Sequence, residues 1–210
     1  MNLVFLGPPG AGKGTQAARV SGHYGIAHIS TGDMFRKAMN QGSSLGVKAK
    51  SYIDRGLLVP DAVVVEMVAE RLKEPDCASG YLLDGFPRTE PQAIELDRIA
   101  TIDAAVEIAV DADRLIARLA GRRVCPGCGA TVHVRDLAQG QAACPVCGEP
   151  LARRADDQPE VIAKRLKVYA AQTETLIAYY ERRGKLVRVD GDQPVERVTE
   201  QILGSLRGRT

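Results

Sequence analysis

Leu3-Val4-Phe5-Leu6-Gly7-Pro8-Pro9-Gly10-Ala11-Gly12-Lys13-Gly14-Thr15-Gln16-Ala17-Ala18-Arg19-Val20 passes from an apolar run, through a glycine loop that ends in lysine, into a helical pattern. Four apolar residues in a row suit a strand buried on both faces. Strand, glycine loop and helix in that order make a phosphate cradle. The glycines let backbone N–H groups close around phosphate oxygens, and the helix N-terminus adds a positive dipole end. The order points to a nucleoside triphosphate, with Lys13 reaching its terminal phosphates. The loop departs from the usual G-x-x-x-x-G-K-[ST] pattern in one place, because Gly14 follows the lysine and the hydroxyl arrives one residue later, at Thr15. Direct Mg²⁺ binding by the residue after the lysine therefore does not carry over. Thr15 can still bond a phosphate from the first helical turn.

Outward from the loop, four more stretches read as buried strands: Ala27-His28-Ile29, Tyr81-Leu82-Leu83-Asp84, Ala104-Ala105-Val106-Glu107-Ile108-Ala109-Val110 and Leu186-Val187-Arg188-Val189-Asp190. Helical patterns lie between them, at 33–41, 45–55, 61–73, 91–99, 112–120, 159–183 and 194–205. Pro60, Pro91, Pro159 and Pro194 sit where a first helical turn tolerates proline. The alternation predicts an α/β fold on a parallel sheet. Two stretches break the rhythm and read as insertions into one core. Residues 30–59 supply helices without a strand, and residues 121–157 bring four cysteines with many glycines and prolines.

The 210 residues are 45% hydrophobic, enough for one good core. A net charge of +2 and 4% aromatics without Trp argue against a nucleic-acid binder or a base-stacking platform. The N-terminus lacks a basic leader, and its apolar run is broken at Gly7-Pro8-Pro9. No apolar window approaches the roughly 18 residues of a membrane span. Five cysteines without a secretion signal suggest metal binding or free thiols in a reducing cytoplasm.

Cys125-Pro126-Gly127-Cys128 and Cys144-Pro145-Val146-Cys147 are paired knuckles whose spacing falls in the zinc range. Gly129 and Gly148 follow them and make turns in which backbone amides approach the sulfurs. Four thiolates form a closed tetrahedral set that suits structural Zn²⁺, although iron also accepts such a site. Cys77 reads as a buried small hydrophobe. His133 reads as a surface or flap-packing residue, and His23 and His28 as structural.

Ser30-Thr31-Gly32-Asp33-Met34-Phe35-Arg36 follows the second strand and Asp84-Gly85-Phe86-Pro87-Arg88 the third. Ligands of open α/β sheets bind at such strand ends. Arg36 and Arg88 can clamp an acceptor phosphate bidentately. Asp84 ends an apolar strand and can hold Mg²⁺ or its waters, with Asp33 a second candidate.

These motifs, with Gly121-Arg122-Arg123, resemble adenylate kinase nearly end to end, in the long bacterial form with a four-cysteine lid. In that family glycine after the loop lysine is normal. The resemblance implies a P-loop nucleoside monophosphate kinase fold: a five-stranded parallel sheet flanked by helices, with a helical insertion and a zinc-ribbon-like lid. Its core would span 1–29, 60–120 and 158–210, its AMP-binding insertion 30–59 and its lid 121–157. It implies Mg²⁺-dependent, reversible transfer from ATP to AMP, a role in nucleotide homeostasis and purine salvage, and a monomer that binds no nucleic acid or membrane. On the ATP side it places Gly10, Ala11, Gly12, Lys13, Gly14, Thr15, Arg118 and Arg122. Thr131, Val132 and the backbone of Gln193 complete that side. On the AMP side it places Thr31, Arg36, Leu57, Leu58, Val59, Gly85, Phe86, Pro87 and Arg88. Gln92 would read the adenine edge, and Arg154 and Arg165 would converge on the phosphates. Lys13, Arg88, Arg122, Arg154 and Arg165 would stabilise the transferring group. Val132 stands where the family often has tyrosine, which implies a weaker lid grip on adenine. The alternatives are a kinase of UMP or CMP, a GTP-preferring donor site, or a zinc-ribbon ATPase on nucleic acid. Thr31 and Gln92 favour AMP.

Overall fold

The computed structural model describes residues 1–208. Its centre is a parallel sheet of five strands: β1 (Asn2–Leu6), β2 (Ala27–Ser30), β3 (Tyr81–Asp84), β4 (Ala104–Ala109) and β7 (Leu186–Asp190), in the order β2-β3-β1-β4-β7. The unbroken apolar character of β1 follows from cover on both faces. Leu3 and Phe5 face α1 (Lys13–Tyr24) and α9 (Val195–Leu206), packing with Val20, Val198 and Ile202. Val4 and Leu6 face the opposite layer, with Phe86, Leu96, Leu176 and Tyr180. That layer includes α4 (Asp61–Arg71), α5 (Glu90–Ile99) and α8 (Thr175–Glu181). Each large apolar side chain fully buried in these layers contributes about 1.5–3 kcal/mol.

The register brings the chemistry to one edge. Phe5 of β1 pairs with Asp84 of β3, and Asp84 with Ser30 of β2. The glycine loop, the Thr31 segment and the Gly85 turn therefore leave the sheet side by side. The connection after β1 runs to one side and the connection after β3 to the other. Their junction is the crevice where such sheets bind ligands.

All five predicted strands are present. Residues 30–59 form α2 (Thr31–Asn40) and α3 (Ser44–Ile53), packed closely where Gly46 meets the Ala38 backbone. Ser30 caps α2 through its side chain on Asp33 N–H, and Ser43 caps α3 through Gly46 N–H. Residues 112–120 form α6 (Ala112–Ala120) as expected. Beyond it, β5 (Arg122–Val124) and β6 (Thr131–His133) pair antiparallel as a small ribbon. The long helix expected over 159–183 is instead interrupted. α7 (Pro159–Val168) runs into a π-turn at Tyr169–Thr173, where Glu174 N–H donates to the Tyr169 carbonyl at 3.0 Å, before α8 begins. The wide turn aims Thr173 inward, where its hydroxyl donates to the Arg88 carbonyl at 2.8 Å.

Candidate active site

The glycine loop after β1 has the geometry of an anion site. Gly12 caps α1 with φ of 93°, a left-handed value that glycine adopts without strain. No side chain caps the helix, so its first N–H groups are left for a ligand. Lys13 Nζ donates to the Gly7 and Pro8 carbonyls at 2.7 and 2.9 Å, folding the ammonium over the loop. Burial lowers the Lys13 pKa, Asp84 opposes, and Arg88, Arg165 and Arg122 add to the lowering, leaving about 8. A side chain at Gly14 would meet Asp84 Oδ2, since a Cβ there would lie 3.4 Å away. The carboxylate thus borders the place where the usual loop carries its hydroxyl.

Across the crevice, Thr31 is buried and donates through Oγ1 to the Gly85 carbonyl at 2.9 Å. Gly85 has φ of 82°, and a Cβ there would crowd Arg88 Nη2 at 2.9 Å and Thr31 Oγ1 at 3.0 Å. Arg88 Nε donates to the Gly85 carbonyl at 2.7 Å, which fixes the guanidinium against its own turn. Burial first, and then the nearby charge of Arg165, push Arg88 down to about 10, so it stays cationic at neutral pH. Arg36 pairs with Asp33 at 2.6 Å. One cleft holds Lys13, Thr31, Arg36, Arg88, Gln92 and Arg165, with Leu57, Leu58, Val59, Gly85 and Pro87 in its walls. Phe35, Ile53, Val64 and Tyr169 add apolar surface.

Arg122 and Arg165 are held by acids at the base of the ribbon. Asp157, with 0% exposure, accepts from Arg122 Nε at 2.8 Å and from Arg165 Nη1 at 3.0 Å. Asp156 pairs with Arg165 at 3.0 Å. Burial raises the Asp156 carboxyl, but Arg165 and its neighbouring arginines outweigh this and hold it below the usual range. Burial, then Arg36 and Arg122, lower Arg154 to about 10. Its Nη2 reaches Thr131 Oγ1 at 3.4 Å, and its Nε is buried without a partner among the described residues. Arg118 donates to the Gly191 carbonyl at 3.0 Å and lies 3.2 Å from Asp192, away from the cleft lining. Gln193 Nε2 donates to Asp190. Val132 is half-buried in β6 beside an exposed Thr131.

Burial raises the Asp84 carboxyl, yet His28, Lys13 and Arg88 together hold it below the usual range, so it is an anion available to a cation. His28 is more than a packing residue, because its Nε2 lies 3.7 Å from Asp84 Oδ2. Asp33 is largely exposed and committed to Arg36.

The cysteines meet as their spacing predicts. The sulfurs of Cys125, Cys128, Cys144 and Cys147 all lie within 4.8 Å of one another. Cys125 and Cys147 approach to 3.3 Å, and Cys128 and Cys144 to 3.7 Å. A tetrahedral Zn²⁺ site with bonds of about 2.3 Å needs sulfurs about 3.8 Å apart, so the set fits a metal ion. The Cys128 N–H, 3.5 Å from Cys125 Sγ, is the main influence lowering that thiol, while the neighbouring sulfurs raise Cys128 and Cys147. Val146 N–H approaches Cys144 Sγ at 3.4 Å. His133 stays out of this set: its ring packs on Gly121, as expected of a flap-packing residue. Cys77 is buried as expected, and Arg71 also contacts its sulfur at 3.0 Å.

One residue placed from its motif differs in detail, and others carry no sequence signal of their own. Phe86 is fully buried, so only its backbone belongs to the turn. Asp61 and Thr89 support Gln92, and Thr173 supports Arg88. The Asp156-Asp157 pair is visible in the sequence, but its grip on Arg122 and Arg165 emerges only in three dimensions.

The family model described as "Adenylate kinase" matches residues 5–185. The protein named "Adenylate kinase" from Alkaliphilus oremlandii is 51% identical, over 98% of this chain and 98% of its own. Proteins of the same name from Salinispora tropica and Carboxydothermus hydrogenoformans are 50% and 49% identical, each over 99% of this chain and over 98% and 100% of their own.

Proposed function

The chain belongs to the adenylate kinase family and transfers the terminal phosphoryl group of ATP to AMP, giving two ADP, and we propose that the transfer is direct, across the cleft between the Lys13 loop and the Arg88 turn. The observation that carries this reading is the meeting of Lys13 with Thr31, Arg36, Arg88 and Gln92 in one cleft. The lysine of the glycine loop and the arginine of the Gly85 turn share one space, which supports a donor facing an acceptor.

In this reading Gly10, Ala11, Gly12, Gly14 and Thr15 cradle the ATP phosphates, and Lys13 exchanges its two loop carbonyls for phosphate oxygens. Arg36 and Arg88 hold the phosphate of AMP. An AMP oxygen attacks the terminal phosphorus, and the bond to the bridging oxygen of ADP breaks. No enzyme nucleophile is required. No strong base is required either, because a phosphate monoester with a second pKa of about 6 is mostly ionised at pH 7. Arg122, Arg154 and Arg165 neutralise charge on the oxygens of the transferring group. Asp84 and Asp33 would hold the water shell of the Mg²⁺ that accompanies ATP and spreads its negative charge. The four cysteines would hold structural Zn²⁺.

The domain reading follows the same lines: a core of 1–29, 60–120 and 158–210, an AMP-binding insertion at 30–59 and a lid at 121–157. Residues 209 and 210 of that core lie outside the described residues. Closure of insertion and lid would exclude water, the competing acceptor. Both nucleotide subsites come from one chain, which supports a working monomer. Free cysteines throughout the described chain support the cytoplasm as its place of work. The test is ADP formation from ATP with AMP, UMP, CMP or GMP as acceptor. AMP should dominate in kcat/KM, and equal turnover of UMP or CMP would overturn the AMP assignment.

A further inference from the structure

Gln92 lies in the cleft wall with only 1% of its surface exposed, and its amide is held from behind. Oε1 accepts from the backbone N–H of Arg88 at 2.8 Å, and Nε2 donates to Asp61 Oδ1 at 2.7 Å. The other oxygen of Asp61, Oδ2, accepts from Thr89 Oγ1 at 3.0 Å, and that same hydroxyl oxygen accepts from the Gln92 N–H at 3.3 Å. Asp61 stands at the start of α4, in the wall behind Gln92, and does not line the cleft.

These partners permit one amide orientation only. A backbone N–H must donate and a carboxylate must accept. Turned over, Gln92 would set an N–H against the Arg88 N–H and an oxygen against the Asp61 carboxylate. An amide has one further lone pair and one further N–H beyond those spent on Arg88 and Asp61. In the held orientation they offer an acceptor beside a donor. Adenine matches that edge with its N6–H donor and N1 acceptor. A 6-oxopurine presents the reverse, an O6 acceptor and an N1–H donor, and would match only a turned amide.

We propose that Asp61, which does not line the cleft, is a positioning residue that, together with the Arg88 N–H, sets the preference for an adenine acceptor over a 6-oxopurine by locking the amide of Gln92. The inference rests on Gln92 being the reader of the AMP base. It adds the reason an amide, which can pair with either kind of purine when free to turn, reads only one here.

The test compares AMP with IMP, a 6-oxopurine nucleotide of nearly the same size, as acceptors in the full chain. Asp61→Asn keeps the volume of the side chain but can present either oxygen or nitrogen to Gln92. Asp61→Ala removes the partner altogether. The ratio of kcat/KM for AMP to that for IMP should fall about tenfold in Asp61→Asn and further in Asp61→Ala, the size expected when a buried polar match is relaxed. KM for AMP should rise while KM for ATP stays unchanged. A purely structural role would lower both acceptors together and leave the ratio intact, and that result in Asp61→Asn would overturn the proposal even if Asp61→Ala did not fold. A wild-type chain that uses IMP as well as AMP would instead overturn the role of Gln92, so the two failures can be told apart.

Discussion

At the scale of single residues, the site is a set of cations held in place before any phosphate arrives. Arg88 is pinned by the Gly85 carbonyl and Arg122 and Arg165 by Asp157, so little reorganisation is needed at the moment of transfer. Arg88→Ala should lower kcat by about 100-fold or more, the typical loss for one preorganised donor. ATP affinity should stay nearly intact on the proposed reading, in which the glycine loop supplies it. Titration calorimetry beside steady-state rates checks this, and an equal loss of ATP affinity would contradict the assignment. Lys13 makes a second prediction. Its pKa of about 8 in the phosphate-free protein lies below the ordinary 10.5, so charging it costs folded-state stability as pH falls from 10.5 through 8. A bound triphosphate favours the charged form and raises the pKa. ATP binding at about pH 9 should therefore take up a proton, read as a binding enthalpy that changes with the buffer's ionisation heat. Binding without proton uptake would contradict a lysine that is neutral at this pH and charges on meeting the phosphates. The meeting of Lys13, Arg36 and Arg88 in one cleft is legible in the sequence because each is tied to a glycine motif at a strand end. Asp61 is not, because a lone acid at a helix start reads as an ordinary N-terminal charge.

At the scale of elements, two devices do the positioning. The ribbon of β5 and β6 has almost no core of its own, and Cys125 and Cys144 are among its few buried side chains. Its fold should depend on a metal held by the four cysteines. Metal loss worth about 3 kcal/mol would lower the Tm of a chain this size by roughly 6–12 °C. Turnover well below the melting point should change far less, and an unchanged Tm after chelation would refute the structural role. The second device is the π-turn at Tyr169–Thr173, a feature often found at functional sites. Thr173→Val leaves the Arg88 carbonyl without this donor and should cost about 1–3 kcal/mol. It should raise KM for AMP more than KM for ATP, which steady-state kinetics with each substrate varied would show. An equal effect on both substrates would mean the turn supports the fold alone. The helical periodicity of 159–183 hides this turn, since one extra residue barely disturbs the apolar pattern.

At the scale of the whole molecule, the five strands and the strand-free stretch between β2 and β3 can be read from apolar runs and composition, since a parallel sheet covered on both faces leaves such runs behind. The strand order cannot be read that way. β1 has β3 and β4 as neighbours, and only packing decides that β2 lies at the edge. That order nevertheless places the Gly85 turn beside the glycine loop and makes one cleft of two motifs 70 and more residues apart in the chain. The central claim is that both nucleotides occupy this cleft together and that the phosphoryl group passes directly between them. Initial rates measured with ATP and AMP varied against each other test it most directly. Intersecting reciprocal plots are expected, the mark of a complex holding both substrates. Parallel plots, the mark of a phosphorylated enzyme formed and discharged in turn, would contradict it.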